Sequence, residues 1–389
     1  MSRHMTNSLI YAMKTFLSCL LGLTVSLAQA QELALVKKGK KIGYIDKQGD
    51  KVIDPKYDKA GSFSDGLAAV WIDGKWGYIN ASGEVVINPQ FDHAKAFHRG
   101  VAVVAKEDKW QYIDRNGQLV ELPHSDKLYD FNSNGLAFIR EGDLVGLMDT
   151  KGKVVVKPLY TEIKPFEHGF AKVKRGEKWG ILSSTGDMVI TPEYDEIDIS
   201  GNGVFVARNG TAFGMLTQDG SFKHVKDATK IWPFLKGETL TYARKDDKMG
   251  FVNTQGEWVI EAQFEKARAF RNGLAPVSVG KKWGYVNAQG DLVIQPEYPD
   301  AEIFSSDGLA PVKVGKEWGF IDTSGKLVIP AEYSISAAFV GFLTSGEDKG
   351  FIDGVARVKR EGKWGFIDTK GQLLGNEWYD NAEPFEKVN

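Results

Sequence analysis

The conventional catalytic and metal-binding groups of this chain are six histidines, one cysteine and 51 acidic residues, and their spacing points away from both uses. His4, His93, His98, His124, His168 and His224 recur at no fixed interval, and no His-Glu-x-x-His phrase occurs. The 43 glycines form no nucleophile elbow, phosphate loop or dinucleotide fingerprint. Glu193 and Asp195 resemble a glycosidase carboxylate pair only in sequence, whereas such a pair is defined by its separation in space. Phrases such as Asp46-Lys47-Gln48-Gly49, Asp322-Thr323-Ser324-Gly325 and Asp368-Thr369-Lys370-Gly371 offer one carboxylate where calcium needs several oxygens. They read as turns: the Asp accepts from amides ahead of it, and the Gly closes the loop in the left-handed region. The expectation is a protein without catalytic residues, metal or cofactor, and therefore not an enzyme.

The residues that do recur are a Trp-Gly pair and its surroundings. The second position of the pair falls at Gly43, Gly77, Gln111, Gly146, Gly180, Gly214, Gly250, Gly284, Gly319 and Gly365, in steps of 34, 34, 35, 34, 34, 36, 34, 35 and 46. Ten units follow, near 33-66, 67-100, 101-135, 136-169, 170-203, 204-237, 238-273, 274-308, 309-354 and 355-386, with an insertion at 340–353 in the ninth. A helical array of the same period is excluded because Gly or Pro interrupts the chain every six to ten residues. At 389 residues the chain exceeds the usual single core, but the repeats run on without a linker and predict one domain over 31–389.

Within a unit, Leu67–Ile72 and Lys75–Asn80 are extended runs joined by Asp73-Gly74, a strong hairpin signal. A third strand follows and is expected to stop at Pro55, Pro89, Pro158, Pro192 and Pro296, where no amide hydrogen is available. Aromatic pairs such as Phe91 and Phe97 then lead through a short fourth piece into the next unit. The repeat tryptophans Trp76, Trp110, Trp179, Trp283, Trp318 and Trp364 are replaced elsewhere by Ile42, Val145, Phe213 and Met249. All four replacements are apolar, so Trp is expected to be structural packing between units rather than a ligand platform. Trp71, Trp232, Trp258 and Trp378 lie outside the pattern and are the candidate ligand contacts, with ordinary packing as the competing reading.

Residues 1–30 stand outside the array. Lys14 precedes an apolar run from Phe16 to Leu27, and Ala28-Gln29-Ala30 supplies a small-x-small cleavage site, which predicts a signal peptide cut between Ala30 and Gln31. The run is too short for a membrane span of roughly 20 residues, so the mature chain should have no transmembrane helix. Cys19 lies inside this segment, leaving a cysteine-free mature protein suited to the periplasm or the cell exterior. The formal charge of −2 comes without long runs of like charge, which excludes the electrostatic footprint of a nucleic-acid binder.

The phrases Gly74-Lys75-Trp76-Gly77-Tyr78-Ile79 and Gly362-Lys363-Trp364-Gly365-Phe366-Ile367, each with its equivalents, resemble the WG-repeat (KWG-repeat) family over about residues 33 to 386. The resemblance implies an exported bacterial protein and supplies no catalytic residues. The expected fold is all-β: a tandem array of ten units of three or four strands in a curved solenoid-like domain, with polar capping units at the ends. The alternative is a β-propeller-like closed ring, whose blades usually run to about 40–45 residues. The expected function is a binding or scaffolding module for a protein, peptide or envelope glycan. The alternatives are a secreted hydrolase of cell-wall or extracellular polymer and an inhibitor-like protein using the 340–353 insertion. Units 3 and 6 diverge most, at Trp110-Gln111 and at Phe213-Gly214.

Overall fold

The computed structural model describes residues 31–335 and 350–388. Apart from one 3-10 turn at Leu374–Asn376 these residues are strands and connections, arranged as ten small antiparallel sheets. Blade 5 is representative. A short strand Glu162–Ile163 leads to the hairpin Phe170–Arg175 and Lys178–Ser183, and Met188–Tyr194 forms the outer edge. Among the described residues the other blades vary this plan: blades 2, 4 and 9 have no inner strand, blade 10 has an outer bridge at Tyr379 in place of a strand, and outer strands run from seven residues at Lys51–Tyr57 to two at Leu119–Val120.

The array closes on itself. Asn381–Lys387, the last strand, pairs antiparallel with Glu32–Lys38, the first, in a register that includes Leu33↔Glu386 and Lys37↔Asn381. It becomes the innermost strand of the sheet that also holds Lys41–Ile45 and Lys51–Tyr57. Of the two geometries expected for an all-β array, the closed ring is therefore the one adopted: a ten-bladed β-propeller. The physical reason is that each blade is apolar on both faces, so a solenoid would leave two such faces in water. The end units are accordingly not polar caps. Leu33, Ala34, Leu35 and Val36 are all buried, and Ala34, Val36 and Ile45 form one core with Phe366, Tyr379 and Ala382.

Among the described residues an aromatic pair recurs at seven of the ten contacts between blades. Residues of alternating parity face opposite neighbours: Leu67, Ala69, Tyr78, Ile87 and Phe91 join the core toward blade 3, whereas Ala68, Val70 and Ile79 join the core toward blade 1. In that gap the tyrosine of one blade meets, edge to face or tilted, a phenylalanine entering the next. The pairs include Tyr44–Phe63 at 4.8 Å, Tyr78–Phe97 at 4.7 Å and Tyr285–Phe304 at 5.0 Å. The tyrosine hydroxyl donates past the ring to a carbonyl of the same incoming segment: Tyr44 to Gly61, Tyr78 to Lys95, Tyr112 to Tyr129 and Tyr285 to Glu302, at 2.7–2.9 Å. Burial raises the pKa of all four hydroxyls, Tyr112 to about 12, so they remain donors at physiological pH. Where Tyr is replaced by Ile181, the partner place is taken by Ser200, whose hydroxyl accepts instead from Phe234 N–H.

The glycine of the Trp-Gly pair has an equally local cause. The outer strand is bulged against the hairpin, with register shifts between Trp76 and Ile79 opposite Phe91, Ile87 and Val85. A Cβ on Gly77 would lie 2.6 Å from Ile87 O, and one on Gly180 2.4 Å from Ile190 O. The bulge also corrects the expected strand ends. Pro89 and Pro192 do not terminate the outer strands, which run on to Phe91 and Tyr194, because the edge position and the bulge leave the missing amide hydrogen without a ladder bond to break. Of the 340–353 insertion, residues 340–349 lie outside the described residues. Phe351–Ile352 forms the first strand of blade 10, with the Phe351 ring 5.0 Å from Phe320 in the repeated aromatic place.

Two expectations follow. Phe304→Ala should cost about 3–5 kcal/mol of unfolding free energy, and Tyr285→Phe, which keeps the ring and loses the hydrogen bond, about 1 kcal/mol, read from urea unfolding. Deleting residues 381–389 should abolish the single cooperative transition and expose dye-binding apolar surface, an outcome that an open array would not give.

Candidate functional site

The repeated polar residues are occupied by the fold. In four blades the lysine before the Trp position pairs with an aspartate 17 residues later, at 2.8 Å for Lys41–Asp58 and 2.6 Å for Lys178–Asp195, with Lys75–Asp92 and Lys363–Asp380 equivalent. That aspartate also accepts an amide from the next blade's hairpin turn: Glu107 N–H at Asp92, Gly210 N–H at Asp195 and Gly39 N–H at Asp380. The lysine bond and then the amide bond hold these carboxyls below the usual aspartate range. The turn aspartates behave as the sequence implies: Asp46, Asp114, Asp322 and Asp368 each accept from the amides two and four residues on. Asp195 is thus engaged with Lys178 and Gly210, while Glu193 accepts from Thr191.

The repeat tryptophans are only partly the packing between units that their replacements implied. Trp283 is buried; Trp76, Trp179, Trp318 and Trp364 are half-buried at the margin of the blade interface; and Trp110 is 49% exposed. Tyr and Phe carry the central contact because Trp lies two residues nearer the hairpin tip on the same face. Several indoles are covered by a cation: Arg268 lies 4.6 Å from the Trp283 centroid and Arg357 4.5 Å from that of Trp364. The four non-repeated tryptophans do not form one surface. Trp71 meets Trp76, Trp232 stacks on Tyr242, Trp258 donates to Lys226 O, and Trp378 lies over Gly365. Ala30 lies outside the described residues, and Gln31 accepts from Val388 N–H beside the closing strand.

Histidines fill separate roles as well. His93 stacks on Trp110, and His124 lies 3.4 Å from Asp126. His98 Nδ1 is 3.2 Å from Ser64 Oγ, a distance at which a nucleophile and base could pair. Ser64 has one proton, however, and donates it to Phe97 O at 2.7 Å, leaving His98 Nδ1–H to donate to Ser64. The contact therefore straps blade 2 to blade 3. Burial lowers the His98 pKa and keeps the ring neutral. No group of three metal-ligating side chains occurs among the described residues, and none of their helices is long and apolar enough to cross a membrane.

What sequence spacing did not reveal is the axis of the ring. The inner segments of blades 7, 8 and 9 close against one another through Leu235, Ala269 and Ile303. Those of blades 10 and 1–5 stand apart and line a cavity of about 1240 Å³. Its wall is aromatic beside blades 4 and 5, with Tyr129, Phe138 and Phe166, and charged beside the seam, with Glu32, Lys47, Arg357, Glu386 and Lys387. Burial, and then the neighbouring Glu32, raise the Glu386 pKa. Asp65 accepts from Gly100 N–H and Arg99 Nε donates to Ser133 O, so the rim is cross-braced from blade 2 to blade 4. The repeat offers no sequence signal for this site, because the positions equivalent to Asp65, Arg99 and Ser133 on the closed side, Lys236, Asn272 and Ser306, are polar as well.

A second departure lies on the outer edge of blade 3. In the nine other blades the residue at the Trp position has a backbone partner in the outer segment, as in Trp179↔Tyr194 and Trp283↔Tyr298. Blade 3 pairs only Leu119↔Ile113 and Val120↔Tyr112. Gln111 stands where the bulge requires Gly, so the chain leaves the edge and opens a groove of about 540 Å³ beside Trp110.

These features define a closed ten-bladed propeller with an axial cavity. The chain belongs to the family described as WG containing repeat, whose model matches residues 42–76, 76–110, 112–144, 146–179, 179–210, 249–283, 283–318 and 318–339. The unmatched stretch 211–248 contains Phe213-Gly214 and the shortened outer strand Phe222–His224. No curated protein matches significantly. Among solved structures, a crystal structure of a eukaryotic initiation factor is 12% identical and covers 92% of this chain and 98% of its own, with a TM-score of 0.45. Hsv2p of Kluyveromyces lactis is 10% identical, covering 68% and 92%, with a TM-score of 0.29. The dihydro-heme d1 dehydrogenase NirN, solved with DHE, is 10% identical, covering 92% and 75%, with a TM-score of 0.33. At these scores none of them bears on what the ring binds.

Because Asp92, Asp195 and Asp380 have lowered folded pKa values, their stabilisation is complete above the unfolded value of about 3.9 and is lost as pH falls through the folded values. Urea midpoints should therefore fall steeply below about pH 4, and a triple Asp→Asn variant should show a flatter profile with a lower neutral plateau.

Proposed function

We propose that this protein is an exported, non-enzymatic binding or scaffolding module whose axial cavity receives a segment of a protein, a peptide or an envelope glycan. The observation that carries this reading is the cavity itself, which combines an aromatic wall, a charged wall and a braced rim. Such a site provides apolar contact area and fixed polar groups without reorganisation on binding. Export is supported by the Lys14-to-Ala30 segment and by the first strand, which begins at Glu32, immediately after the proposed cut. Processing should give a mature protein of residues 31–389 in the periplasm or medium.

The test compares the parent with Ser133→Trp, an exposed rim change that obstructs the cavity, in pulldowns from envelope extract and in hydrolysis assays on cell-wall polymer. A partner retained by the parent and lost by Ser133→Trp, with no turnover, is expected. Turnover abolished by Glu386→Gln, with no cavity-dependent partner, would instead identify a hydrolase. Intact mass of the exported protein checks the cut at Ala30, and an unprocessed cytoplasmic chain would refute it.

A further inference from the structure

Blade 3 retains the hydrogen-bonding edge and the apolar hole of an outer strand without the strand itself. In blade 10 the equivalent tryptophan forms both bonds of an antiparallel pair: Trp364 N–H donates to Tyr379 O at 2.8 Å, and Tyr379 N–H donates to Trp364 O at 2.7 Å. The hairpin registers are the same, Ala105↔Trp110 and Lys359↔Trp364, so the Trp110 N–H and C=O point to the same outer side. They have no backbone partner there among the described residues. The place of the outer aromatic, 34 residues after Phe91, is held by Ser125, whose hydroxyl donates to Lys127 O and accepts from Arg140 N–H. In eight of the other blades this place belongs to a buried ring such as Tyr194 or Tyr298, and in blade 6, whose outer strand is shortened, to Ala228.

We propose that this groove receives an extended peptide segment of a partner protein, which adds a strand to blade 3 and seats a tyrosine or phenylalanine side chain in the place vacated at Ser125. The unclaimed N–H and C=O of Trp110 match a peptide backbone, which favours a polypeptide over a sugar. The Trp110 wall is set in advance by its stack on His93, with centroids 5.6 Å apart and planes 17° from parallel. Gln111 blocks the bulged path taken by the native outer strands, so the incoming segment runs in straight register, continuing the unshifted pairing of Leu119 and Val120. Leu122 and Leu128 line the hole that the ring would fill. The groove shares no lining residue with the axial cavity, so the two sites stand or fall separately.

The experiment pans a random octapeptide display library on the full-length protein and counter-pans it on Ser125→Phe, which fills the hole from within. Enriched peptides should carry Tyr or Phe in an extended context. Their affinity should drop at least about tenfold for Ser125→Phe and for Trp110→Ala, and similarly when the aromatic residue is N-methylated. Ser125→Phe gives up the bonds to Lys127 O and from Arg140 N–H, so its melting is measured alongside, and if it fails to fold, Trp110→Ala and the N-methyl peptide carry the comparison. The proposal is overturned if no peptide is enriched, if enriched peptides lack aromatic preference, or if N-methylation leaves affinity unchanged. It is also overturned if a chitooligosaccharide binds the parent and not Trp110→Ala while the peptides fail to compete.

Discussion

The rest of the molecule depends on the fact that a blade cannot bury its own two faces. Three or four strands of five to seven residues form a sheet too small to supply a core, and alternation sends apolar side chains to both sides of it. Each face must be covered by another blade, and at four interfaces a Tyr–Phe pair with its hydroxyl-to-carbonyl bond fixes how that neighbour sits. Because the demand is identical at every interface, it passes around the array until the last face meets the first. Ring closure through Asn381–Lys387 is the consequence of that demand.

The same logic explains the structural use of the conspicuous motif. Lysine, tryptophan, glycine and the later aspartate serve an ion pair, a half-covered ring, a bulge and a cap on the next hairpin. With these residues committed, the openings in the ring fall where the period is imperfect. Around the axis, Leu235, Ala269 and Ile303 close one side, while Asp65, Arg99 and Ser133 leave the other open. On the rim, one glycine replaced by Gln111 and one aromatic replaced by Ser125 unmake an outer strand.

The turns and hairpins were legible because they are local. Asp73-Gly74 sits in the hairpin turn, with both residues at positive φ, and the Asp-x-x-Gly loops form the bonds that their residue types require. The prolines misled because a missing amide terminates a strand only where the ladder needs it, and the bulge at Pro192 removes that need. The tryptophans misled in degree: apolar replacement marks contact with the interface, yet burial depends on position along the strand, and Tyr78 lies deeper than Trp76. Neither cavity was legible. The axial one requires six inner segments separated by most of the chain, and the lateral one requires knowing which bonds the other nine blades form.

By itself the sequence determined the all-β class, the ten units, the hairpin at the centre of each and the structural use of its aspartates. Those properties follow from turn chemistry and side-chain alternation within some 34 residues. Only the tertiary structure decided that the array is a ring rather than a solenoid, that its end units form a seam, and where it is open. Those outcomes rest on the angle accumulated from blade to blade and on contacts such as Leu33↔Glu386, whose partners lie at opposite ends of the chain.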